Sequence, residues 1–220
     1  MKTRLVAFSL LAMILLAGTA QTSGQGFSIG AKAGVGFSYL SNFKDYEDML
    51  KRSPNIMADG GLTGNAAFTS LVSLQFELLY EQKGEKLQTT YQGITTKVSL
   101  LINYITLPIL VEFGHSFGNV KIFGGIGPYI GYAINGKVVA PGSNDKIEFG
   151  KDNYRRFDAG GSADLGAGIK AGPGHIFLDL RYNYGLMDIQ QMTNKPDGYK
   201  SLCNRNFVVS LGYLLPLGKK

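Results

Sequence analysis

Apolar and polar side chains alternate one for one along much of this chain, and a period of two restricts it to strands with chemically different faces. From 27 to 39 the odd positions read Phe27, Ile29, Ala31, Ala33, Val35, Phe37 and Tyr39, with Ser28, Gly30, Lys32, Gly34, Gly36 and Ser38 between them. The pattern returns at 72–83, where Val72, Leu74, Phe76, Leu78 and Tyr80 oppose Ser73, Gln75, Glu77, Leu79 and Glu81. It returns again at 157–171 and at 176–186, the latter setting Ile176, Leu178, Leu180, Tyr182, Tyr184 and Leu186 against Phe177, Asp179, Arg181, Asn183 and Gly185. Less regular strands are expected over 60–69, 98–113, 120–135 and 205–215, for a total of about eight.

The connections alternate in length. Short ones fall near Ser70, at 114–119 and at Gly172-Pro173-Gly174; long polar ones fall at 41–59, 84–96, 137–156 and 187–204. Short turns at one end and long loops at the other are the pattern of bacterial outer-membrane barrels. After the first twenty residues no apolar run reaches roughly 18, so spanning helices are excluded. Glycine is abundant and tryptophan absent, while tyrosine and phenylalanine are plentiful, which favours many short strands.

A soluble periplasmic carrier of the lipocalin kind would bury the apolar face and wet the polar one. Here the polar faces are small, and eight sets of Phe, Tyr, Leu and Ile would overfill so narrow a bore. Volume therefore favours the inside-out arrangement: an all-β, eight-stranded, antiparallel up-and-down transmembrane β-barrel. Tyr39, Tyr80, Tyr104, Phe113, Tyr132, Phe157, Tyr182 and Tyr213 are candidates for its interfacial aromatic girdles. Pro108, inside the fourth strand, is expected to mark a bulge.

The first twenty residues stand apart. Lys2 and Arg4, an apolar stretch from Leu5 to Ala17, and Gly18-Thr19-Ala20 make a secretory signal, leaving 21–220 as the barrel domain. Its removal would take the formal net charge from +6 to about +4. Cys203 is the single cysteine, so no internal disulfide forms; the thiol is either tucked away or open to intermolecular pairing. Mixed, modest charge gives no basic footprint for nucleic acid.

Strand parity points Lys32, Glu77, Glu81, Lys121, Asp158, Asp164, Lys170, Asp179 and Arg181 inward, with Glu112 joining them. Such charges can serve a gate, a proton path or a small-ligand site in a narrow transport barrel. The favoured expectation is a salt-bridged plug, because buried charges must be paired and an eight-stranded bore has little room for water. Glu77 with Arg181 is the first pair to test. For catalysis a nucleophile needs a base in reach, and His115 and His175, the two histidines, both fall at short turns. An enzyme is therefore not expected. No Cys/His spacing suits a metal and no phosphate-binding fingerprint implies a cofactor; Asp45, Glu47 and Asp48 are a short acidic run of the kind that solvated loops carry. The long loops hold Phe43, Tyr46 and Met49 in the first and Lys146, Lys151, Arg155 and Arg156 in the third. Exposed aromatics beside charges suit a protein or glycan partner, and basic residues near an outer leaflet suit lipopolysaccharide.

Three segments resemble the PorT-like outer-membrane β-barrel family, of the OmpX-like eight-stranded kind: Gln75-Phe76-Glu77-Leu78-Leu79-Tyr80-Glu81-Gln82-Lys83-Gly84, Asn103-Tyr104-Ile105-Thr106-Leu107-Pro108-Ile109-Leu110 and Asp179-Leu180-Arg181-Tyr182-Asn183-Tyr184-Gly185-Leu186. With the signal, the resemblance covers nearly the whole chain. It implies a barrel in the outer membrane of Gram-negative bacteria related to Bacteroides. It also implies a non-enzymatic role as scaffold, adhesion surface, or partner in secretion or assembly of surface proteins. The chain departs from the usual outer-membrane ending on an aromatic residue: it closes Leu217-Gly218-Lys219-Lys220, leaving Tyr213 as the nearest terminal-strand aromatic.

Overall fold

The computed structural model describes residues 26–41, 50–91, 94–150, 152–195 and 197–218. The signal segment, the acidic run Asp45, Glu47 and Asp48, and Phe43, Tyr46, Met49 and Lys151 lie outside the described residues. The strands follow in the order β1 (Gly26–Leu40), β2 (Leu50–Ser53), β3 (Asn55–Ala67), β4 (Val72–Tyr91), β5 (Ile94–Phe117), β6 (Val120–Ala140), β7 (Ser143–Lys146), β8 (Phe157–Ala171), β9 (Gly174–Gly185) and β10 (Asn204–Leu217). Eight are long; β2 and β7 have four residues each.

All neighbours are antiparallel, and β1 pairs with β10 on one side and β3 on the other, which closes the sheet. A closed sheet has no unpaired backbone edge to desolvate in hydrocarbon. Side chains divide as the alternation requires. Val35, Phe37, Leu62, Ile126, Leu165, Leu180 and Leu211 stand exposed on the outer wall, while Lys32, Glu77, Glu81, Asp179 and Arg181 are buried within. In water that distribution would expose apolar surface far beyond what a monomer sustains. Hydrocarbon is its proper solvent, and an apolar-cored carrier is set aside.

Strands run further than sequence periodicity marks. The expected loop at 84–96 is instead the upper part of a β4–β5 hairpin, paired to Tyr91↔Ile94. Residues 55–59 belong to β3, and 137–140 extend β6 and pair with β7. These stretches mix polar and apolar residues on the same face, as Met57 with Asn55 and Asp59, or Lys137 with Val139, so alternation gives no clean signal there. Pro54 separates β2 from β3, and their register against β4 shifts by one residue across it.

Two further expectations change. Pro108 causes no bulge: Leu107↔Ile130 and Pro108↔Tyr129 stay in register, and the pairing merely lapses, toward β4 at Leu107 and Pro108 and toward β6 at Ile109 and Leu110. Losing one donor opens the ladder without inserting a residue. The register shift falls instead at Asn103/Tyr104. Tyr104 shares the parity of Glu112 and turns into the bore, fully buried, so it is no girdle aromatic. Tyr39, Tyr80, Tyr132, Tyr182 and Phe157 do face outward; the Tyr39 and Tyr182 hydroxyls meet at 3.2 Å, and Tyr132 packs edge-on against Phe157. Tyr213 lies at the short-turn end and donates to the Ala171 carbonyl at 3.1 Å.

Candidate functional site

Among the described residues the bore is where groups from many strands gather, and it is filled in tiers. At the short-turn end Phe123 and Phe177, both buried, form an edge-on pair with centroids 6.3 Å apart. Glycine makes that possible: a Cβ on Gly166 would overlap the Phe123 ring, and one on Gly212 the Phe177 ring. Beside them Glu112 accepts from Lys121 at 2.6 Å, Ser73 at 3.0 Å and Asn65 at 3.4 Å.

The middle tier holds two cations among three carboxylates. Arg181 reaches Glu77 with both terminal nitrogens, Asp164 at 3.0 Å and Asp179 at 3.4 Å. Lys32 bridges Asp179 at 2.6 Å and Glu77 at 3.0 Å. Gln75 donates to Glu77 at 2.9 Å. β1, β4, β8 and β9 contribute these groups, so the ion pairs tie opposite walls together.

Above lies a third tier centred on Lys83, which is fully buried. Its ammonium contacts Glu81 at 3.2 Å and Asp158 at 3.1 Å and sits 4.5 Å from the Tyr129 ring centroid and 5.1 Å from that of Tyr104. Thr106 and Asn183 donate to Glu81, while Tyr129 and Asn204 donate to Asp158. Lys83 is not among the residues predicted inward; the signal that finds it is its shared parity with Glu77 and Glu81 at the end of the 72–83 stretch, although nothing local announces the aromatic clasp.

An apolar lid closes the long-connection end. Leu40, Ile102, Tyr104, Ala133, Ile189 and Leu202 form a buried cluster, with Leu100, Ile147, Phe149 and Tyr154 packed against it. Ile189 and Leu202 come from the segment between β9 and β10, which folds over the mouth. Asp188 pins that segment by accepting from the amides of Gln190 and Leu202, from Tyr199 and from Lys195. Burial alone would raise the Asp188 pKa, but these donors outweigh it and hold the carboxyl below its usual range. Tyr199, half-buried beside that carboxylate, is pushed up to about 12.

The interior candidates therefore divide. Lys32, Glu77, Glu81, Glu112, Asp158, Asp164, Asp179 and Arg181 are buried together, and Lys121 joins from the rim. Lys170 does not: it is exposed beside the β8–β9 turn, where the strand has left the bore. Asp59 and Glu85 were not predicted, because 41–59 and 84–96 read as loops; both are buried. Among the described residues eight buried carboxylates thus face three buried cations in the bore, and neutral donors supply much of the remaining hydrogen bonding. The void beside Asp59 and Glu81 measures about 10 Å³, the space of a single water.

Loop candidates separate likewise. Arg156 stacks on Phe149 with its guanidinium 4.5 Å from the ring centroid and donates to the Ala133 carbonyl at 2.9 Å, while the Arg155 amide bonds Ile189. Both arginines fasten the loop to the rim. Lys146 stands exposed on β7. Cys203 is buried, which leaves it shielded from intermolecular pairing. His115 and His175 remain at the short-turn end, and the described residues contain no group of His, Cys, Asp and Glu fit to hold a metal ion.

Known proteins share this architecture. The outer membrane protein OprG from Pseudomonas aeruginosa superposes with a TM-score of 0.53 at 13% identity, covering 91% of this chain and 99% of its own. Neisserial surface protein A superposes with a TM-score of 0.47 at 15% identity, over 88% of this chain and 99% of its own. No curated protein matches the sequence. The family model for the outer membrane protein beta-barrel domain matches residues 19–191. This chain belongs to that family of outer-membrane β-barrels.

Proposed function

We propose that this barrel is a non-enzymatic scaffold of the outer membrane, whose work is done by the surface it presents above the lipid and not by passage through its bore. The observation that carries this reading is the tiered filling. An aromatic pair with the Glu112–Lys121 pair beside it, two layers of buried ion pairs and an apolar lid succeed one another along the axis, and both buried ion-pair layers join strands that are not neighbours in the sheet. Opening such a path would require breaking buried ion pairs, at roughly 3–5 kcal/mol for each unpartnered charge. The resemblance of its strand motifs to PorT-like proteins points to adhesion or to assembly of surface proteins as the class of work.

A long, polar, strand-built projection supports the same reading, since rigid scaffolds commonly display binding residues at their ends. The test is paired. Purified full-length protein in planar bilayers should show no single-channel steps, and exchange of the 147–153 segment, which leaves β6, β7 and Arg156 in place, for an unrelated loop should abolish capture of a partner from cross-linked outer membranes. Steady unitary conductance in the unaltered protein would instead favour a transport barrel.

A further inference from the structure

Above the apolar band, the outward face of the β4–β5–β6–β7 ribbon changes character abruptly. On β4 the outward residues run Leu78, Tyr80, Gln82, then Lys86 and Gln88; on β5 they run Ile105, Asn103, Leu101, Ser99 and Lys97. On β6 Asn135 and Lys137 follow Tyr132 across the irregular register, and β7 adds Lys146. Asn103 and Asn135 are bonded at 2.6 Å and mark the upper edge of the lipid-facing surface. Lys86 and Lys137 lie six and five residues beyond Tyr80 and Tyr132, which at strand rise and barrel tilt is about 12–15 Å above the girdle.

Two features of this face favour an anion. Lys137 is directly paired with Lys146 across the β6–β7 ladder, and like charges so placed repel unless something negative bridges them. The nearest carboxylates in sequence, Glu85 and Asp145, fall on the opposite face by alternation. Among the described residues none of these four lysines is in an ion pair. The face is also shaped: Lys86, Lys97, Gln88, Ser99 and Pro54 with Val139 line an open groove of about 520 Å³. That is enough for a pair of sugar rings with their charged substituents.

We infer that this groove, with Lys86 and Lys97 in its lining and Lys137 and Lys146 outside it on the neighbouring β6–β7 ladder, binds the phosphorylated saccharide headgroup of the outer-leaflet glycolipid, lipopolysaccharide. The height suits the sugars and phosphates standing above the acyl chains, and the lysines complement their charge. Serine, glutamine and backbone groups offer sugar hydroxyls their hydrogen bonds. The inference goes beyond the scaffold reading, and holds whether or not the loops carry a protein partner.

The test uses the full mature chain, purified in detergent and mixed with lipopolysaccharide carrying a phosphorylated core, and counts retained glycolipid by native mass spectrometry. Changing Lys86, Lys97, Lys137 and Lys146 together to Gln should weaken retention roughly tenfold or more, as juxtamembrane lysines each contribute severalfold. Changing all four to Arg should preserve it. Enzymatic removal of the phosphates should reproduce the Gln result on unaltered protein. The heat-dependent shift on a detergent gel shows that each variant is folded; should the fourfold variant fail it, Lys86→Gln with Lys97→Gln serves alone. Equal retention by folded Gln variants, or indifference to dephosphorylation, overturns the proposal. So does tighter binding of lipid-free heparin than of the glycolipid, which would assign the groove to a sulfated polysaccharide. Failure here leaves the bilayer and loop-exchange results unaffected.

Discussion

Arg181 on β9 and Glu77 on β4, 104 positions apart in the chain, meet through both terminal guanidinium nitrogens in the middle of the bore. Neither has access to water, so each neutralises a charge that the other cannot leave exposed. The pair and its neighbours Asp164, Asp179 and Lys32 act as a cross-brace between walls that would otherwise touch only through their backbone ladders.

Removing one half of this brace is expected to be costly. Arg181→Met should lower stability by roughly 3–5 kcal/mol, because three carboxylates lose their shared cation. Adding Glu77→Met should recover part of the loss, giving a coupling energy above about 1 kcal/mol. Urea unfolding in detergent micelles, followed by tyrosine fluorescence, measures both; strictly additive losses would show that the two side chains do not act as a unit.

Room for the lower aromatic pair is expected to be equally strict. Gly212→Ala places a methyl group into the Phe177 ring, and overpacking of this kind costs about 1–3 kcal/mol. Phe177→Leu alone should also destabilise, yet combined with Gly212→Ala it should restore more than half of the loss. The same urea midpoints decide the matter.

Asp188 should make the lid sensitive to acid. Its folded pKa lies below the ordinary value of 3.8. The stabilisation is therefore complete above the usual carboxylate range and is lost as pH falls through the lowered folded pKa. Amide exchange at Gln190 and Leu202 should accelerate only at strongly acidic pH in the native chain, and at neutral pH in Asp188→Asn. Unchanged protection in that variant would mean that Ile189 and Leu202 hold the lid by apolar packing alone.

The rim arginine offers a milder case. Arg156→Ala removes a stacked guanidinium and a bond to the Ala133 carbonyl, each worth about 1 kcal/mol. Limited proteolysis within 141–153 should quicken severalfold while the urea midpoint of the barrel hardly moves.

Much of this was legible from the period-two pattern. Closure, the inside-out arrangement and the inward placement of Lys32, Glu77, Glu81, Asp179 and Arg181 all follow from which residues share a face. Alternation says nothing about shear, and shear decides which inward residues meet; the clasp of Tyr104 and Tyr129 around Lys83 joins β4, β5 and β6 at heights that no local signal announces. Parity itself was enough to turn Tyr104 inward once Glu112 was so placed, but its aromatic character suggested a girdle. Where strands leave the lipid, polar and apolar residues mix on each face and the pattern falls silent, hiding Asp59, Glu85 and the upper ribbon.

The two four-residue strands carry a consequence for life in a crowded leaflet. β2 lies beside β4, and β7 beside β6, so the tall ribbon is flanked by margins too brief to template a long foreign strand. Lys146 sits on one of these margins, adding repulsion between neighbouring copies. A tower of exposed backbone is thereby kept from zipping sideways into its own kind.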